Sequence, residues 1–128
     1  VTPAETDDES YYLTLKNLLM SLNDESIDLN LIKLWWLVRV LDFSGHGLDL
    51  YKDAELKDLF ESQTYKFSVG AARFTPKDGG VVDSDAIKGL RLIEEGKVPS
   101  QLAKLKKISL ISLNVYKELE AASRDLLS

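Results

Sequence analysis

The chain has 128 residues, 45% of them hydrophobic and 29% charged, and a net charge of −5. That length sets a single domain able to bury its own core. The absence of cysteine excludes disulfides, zinc–thiolate centres and thiol nucleophiles together, and the acidity excludes a protein that coats nucleic acid with its whole surface.

The first ten residues, VTPAETDDES, lack the basic end and apolar run of a secretory leader. Residues 1–6 are expected to form a flexible tail ahead of a single helical domain over 7–128. The run TDDE has the form of a capping box, with Thr6 and Glu9 satisfying each other's amides. Tyr11, Tyr12, Leu15, Leu18, Leu19 and Leu22 then recur at helical spacing, which predicts a first helix with those residues on one face. Ser26 is the expected cap of a second helix. From Leu29 to Phe43 the chain is apolar on nearly every side, as suits a central helix covered by several neighbours. Lys33, Arg39 and Asp42 interrupt that run, which is also short of the ~20 apolar residues a membrane span needs.

Gly45 is placed to end the second helix in a left-handed conformation. Asp49 or Asp53 is expected to open a short third helix whose apolar positions include Leu56, Leu59 and Phe60. Beyond Gln63 the period changes to two. Tyr65, Phe67, Val69 and Ala71 alternate with Lys66, Ser68 and Gly70, followed by the turn residues of TPKDGG. Val81 and Val82 can return as a second arm, so residues 63–82 are expected to form a β-hairpin or an irregular insertion. Asp83 or Ser84 caps a further helix with Ile87, Leu90 and Ile93 inward, ended by Gly96. A long last helix is expected from Ser100 to Leu127. Its stripe is Leu105, Ile108, Ile111, Val115, Leu119, Ala122 and Leu126. The expected fold is mainly α, a compact bundle of about five helices with one insertion.

No motif of catalysis survives inspection. His46, the lone histidine, lies beside Asp42 and Ser44 in LDFSGHGLDL, but neighbours in sequence do not make a nucleophile–base–acid geometry. One histidine also cannot form a histidine metal cluster. Gly96-Lys97 lacks the spacing and the Ser or Thr of a phosphate loop. The acids at Asp78, Asp83 and Asp85 lack the spacing of a calcium loop. Glu94 and Glu95 are expected on a solvated helix face. No enzyme activity, cofactor or metal follows.

Two features point to partners. The first is aromatic and aliphatic surplus. Trp35 and Trp36 are consecutive, as are Tyr11 and Tyr12, and consecutive residues of a helix point about 100° apart. Tyr11, Trp35 and Trp36, with Leu110, Leu113 and Tyr116 off the main stripe of the last helix, are therefore candidate partner-binding residues. The second is charge. Residues 1–64 carry 13 acids and 5 bases, whereas residues 65–107 carry 9 bases and 5 acids. Lys66, Arg73, Lys88, Arg91, Lys97, Lys104, Lys106 and Lys107 are candidates for a strip along a nucleic-acid backbone. The expectation is a non-enzymatic interaction or assembly domain: an adaptor, a scaffold or a structural subunit, including a viral one. It is intracellular, free of membrane, and bound to another protein or to further copies of itself. The alternative is a small nucleoprotein subunit using the strip in residues 65–107.

Overall fold

The computed structural model describes residues 3–45, 47–68, 73–105 and 107–127. Among the described residues there are five helices and one antiparallel hairpin. In chain order these are α1 (Pro3–Leu22), α2 (Leu29–Phe43), β1 (Tyr65–Ser68), β2 (Arg73–Pro76), α3 (Ser84–Glu94), α4 (Pro99–Leu102) and α5 (Ile108–Leu127). The mainly α bundle with a hairpin insertion is thus the observed fold. No helix among the described residues is long and apolar enough to cross a membrane.

α1 and α2 form an antiparallel helical hairpin. α1 begins at Pro3, so Thr6 lies inside the helix and does not cap it. Asp24 accepts bonds from the Ser26 amide and hydroxyl in the connecting turn. The cap of α2 is therefore Asp28, not Ser26: its carboxylate accepts from the Asn30 amide at 2.7 Å. α2 is central as expected, with Leu31, Leu34, Trp35, Val38 and Leu41 buried and α5 packed along it. Gly45 follows at φ +80°, the left-handed stop its position predicted.

The short helix expected after Asp49 does not form. Asp49 accepts from the amides of Tyr51 and Lys52, and buried Asp53 accepts from those of Glu55 and Lys57. These local bonds hold the backbone in turns in place of a helix. Leu56 takes φ +65° and points outward, as does Phe60.

β1 alternates as predicted, with Tyr65 and Phe67 buried. Its hydrogen-bonded partner is β2, closer in sequence than Val81 and Val82. Phe67 stands opposite Phe74, their rings edge to face at 5.6 Å. Val82 still returns to Tyr65 on the other side, exchanging both backbone bonds. Val69 and Ala71 lie outside the described residues. The hairpin is tied to the bundle by the Phe67 amide, which donates to Glu118 of α5 at 3.0 Å.

Asp83 caps α3 through the Ala86 amide, and Ile87, Leu90 and Ile93 are buried as expected. Gly96 ends it at φ +102°, with the amides of Gly96 and Lys97 closing back on Ile93 and Leu92. The long last helix is broken. α4 is a single turn, and Lys107 at φ +60° redirects the chain into α5. Leu102 and Ile108 are buried on either side of the break. Leu105 consequently falls in the turn and is exposed, while Val115, Leu119 and Ala122 keep the predicted inward stripe.

Candidate docking surface

α1 lies against α2 with its apolar side out. Thr14 and Ser21 on its inner face are each 6% exposed, whereas Tyr12 is 66% and Leu19 56% exposed. Thr14 is accommodated because its hydroxyl donates to the Ser10 carbonyl one turn back, at 2.8 Å. Leu18 packs on the core from one edge. Around the helix from Leu18, Tyr11, Leu22, Leu15, Leu19 and Tyr12 follow as one continuous apolar arc. The one face that the spacing predicted is present, and this chain leaves most of it open. A stripe specifies that a face is to be covered, and it does not say by what.

The arc continues onto α2. Leu29, Lys33, Trp36, Val40 and Phe43, spaced 4, 3, 4 and 3, share one side of that helix. Leu29 and Lys33 are exposed and the other three half-buried. Two contacts locate this side. The Phe43 ring meets Tyr11 of α1 edge to face at 5.4 Å, and the Lys33 ammonium lies 5.9 Å above the Tyr116 ring of α5. That side of α2 therefore meets α1 at Phe43 and α5 at Lys33. Of the sequence-derived set, Tyr11 and Tyr116 make these contacts, and Trp36, Leu113 and Tyr116 are half-buried. Leu110 is exposed elsewhere on α5, opposite the buried stripe. Trp35 is not available to any partner. It is 3% exposed, and its indole N–H donates to the Lys97 carbonyl at 3.0 Å.

The basic residues do not form one strip. Arg91 is turned inward: both Nε and an Nη donate to the Leu50 carbonyl, and the guanidinium lies 4.5 Å from the Tyr51 ring. Arg73 pairs with Asp49 at 3.4 Å and Lys88 with Glu61 at 3.6 Å. Lys66, Lys97, Lys104 and Lys107 are exposed, and Lys106 lies outside the described residues, as does His46. Lys88 and Lys107 border a groove of about 480 Å³ between α3 and α5, whose walls include Leu92, Leu105, Ile108 and Ile111. Lys97 borders an adjoining hollow. α4 has one turn, so its start at Pro99, beside Lys97, offers an anion no helix dipole.

Sequence reasoning missed one ionic cluster. Glu94, expected on a solvated face, is half-buried at the end of α3 beside Asp42 of α2, which also pairs with Arg39 at 3.2 Å. Burial, then the charge of Asp42 and a hydrogen bond with it, push the Glu94 carboxyl up to about 7, against the pull of Arg39. Its Oε1 is buried without a partner. Gly47 backs onto Asp42, where a Cβ would stand 2.6 Å from Oδ1. Nothing in the local sequence brings residues 42 and 94 together; only the packing of α3 on α2 does. Among the described residues no three acids or histidines gather as metal ligands. Comparison with protein-family models, curated proteins and solved structures gives no match for this chain.

Proposed function

We propose that this chain is a non-enzymatic protein–protein interaction or assembly module, docking a partner on the open face of α1 and the adjoining side of α2. The outward apolar arc of α1 carries the reading. Monomers rarely expose contiguous apolar patches above a few hundred Å². The arc, with Leu29 and Trp36, offers on the order of 500 Å², approaching one partner's share of a standard interface. Tyr11, Trp36 and Tyr116 are residue types that anchor such interfaces. An intracellular setting belongs to the same proposal and rests on the lack of cysteine.

Leu19→Lys tests it. On an open face this change costs less than about 0.5 kcal/mol in urea unfolding and lowers the binding of an apolar dye. A cost of 2 kcal/mol or more, of the order seen for buried leucines, would mean that the face is internal to the fold, and the reading would fall. The nucleic-acid alternative has less support, since Arg73, Lys88 and Arg91 are engaged within the chain. Exposed Lys97, Lys104 and Lys107 are what remains for it. Neutralising all three would abolish binding to single-stranded RNA at low salt if that reading held.

A further inference from the structure

The groove between α3 and α5 is aliphatic inside and basic at its edge. Leu92, Leu105, Ile108 and Ile111 line it, and Lys107 borders it. Leu92 and Leu105 continue into the adjoining hollow of about 260 Å³, which Lys97 borders. Neither Lys97 nor Lys107 has a carboxylate at ion-pair distance among the described residues. The sequence around them has the same sign: residues 96–117 hold five lysines and no acid. Lys107 also holds φ +60°, a conformation costly for any residue but glycine. A lysine thus stands at the edge of the groove where glycine would turn the chain more cheaply. Asp85, in the first turn of α3, is the one acid on the groove among the described residues.

These features select the occupant. The groove's volume of about 480 Å³ falls within the ~300–1,000 Å³ of small-molecule sites, whereas a protein partner takes roughly 800 Å² from each side. No aromatic ring lines either part among the described residues, so a nucleotide base finds nothing to stack on. Aliphatic walls suit an alkyl chain, and lysines without a counter-charge suit an anionic head.

We propose that this groove binds a single-chain anionic amphiphile, an alkyl carboxylate, with its chain along Leu92, Leu105 and Ile111 and its head toward Lys97 and Lys107. The site is separate from the open face of α1 and does not depend on what covers that face.

The probes are dodecanoate and dodecyltrimethylammonium, titrated into the full chain by calorimetry below their micelle concentrations. Dodecanoate is expected to bind at one site, roughly tenfold tighter than the cation. Lys97→Gln with Lys107→Asn, the second a residue that tolerates left-handed backbone, is expected to remove that preference. Leu105→Asn is expected to weaken both probes, and Leu19→Lys to change neither. Amide shifts confined to residues 85–111 would place the chain in the groove. Equal binding of the two probes, no saturable binding, or a dodecanoate response lost in Leu19→Lys and kept in the double lysine variant would overturn the proposal. So would binding to anionic phospholipid vesicles without binding of free dodecanoate, since the ligand would then be a membrane surface.

Discussion

Trp35 and Trp36 are adjacent in the chain and end in different environments. Trp35 clamps α2 to the turn after α3, because the left-handed Gly96 presents the Lys97 carbonyl to its indole. Trp35→Phe keeps the ring and leaves that carbonyl unpaired, so it is expected to cost about 1–3 kcal/mol in urea unfolding. Trp36→Phe removes no such bond and should cost less than half as much. Glu94 gives a second residue-scale outcome. Burial and Asp42 push its carboxyl up to about 7 in the folded chain, from an ordinary 4.5, so the folded state holds the proton more tightly than the unfolded one. The stability this supplies is fully present below about pH 4.5 and is lost as pH rises through 7. The melting temperature is therefore expected to fall between pH 5 and pH 8, and Glu94→Gln to flatten that slope and raise the value at pH 8. An unchanged slope in the variant would place the titration elsewhere.

Elements whose cues are local came out where the residues put them. Asp83 and Gly96 bound α3, Gly45 closes α2, and Tyr65 and Phe67 alternate inward. Gly80 gives this level its test. A Cβ there would stand 2.4 Å from the Tyr65 carbonyl oxygen, so Gly80→Ala should break the Tyr65–Val82 exchange and destabilise the hairpin by about 1–3 kcal/mol. Chemical shifts confined to residues 64–82 would report it. Elements that depend on distant partners were not legible. The turns at Asp49 and Asp53 use the same side chains that cap helices, and sequence alone does not choose between the two outcomes. The break at Lys107, where a lysine takes φ +60°, has no glycine or proline to announce it. Among the candidate docking residues, Trp35 was indistinguishable from Trp36 until its carbonyl partner was in place, and the paired tyrosines gave no sign of which way α1 would turn.

For the molecule as a whole, the exposed lysines at 97, 104 and 107 stand around the α3, α4 and α5 turns, far in sequence from the acidic start of α1 and its apolar arc. A partner covering the arc would meet few cations, and encounter should slow with added salt less than it would at a rim of lysines. The polar inner face of α1 has a further consequence, for local opening. α1 packs chiefly on α2 through Thr14, Ser21 and the edge of Leu18, so its release exposes little apolar surface. Its amides should exchange with solvent deuterium well before those of α2 and α5, and in a single block. A bound partner would close that block, turning the least protected segment of the free chain into one that exchanges with the core.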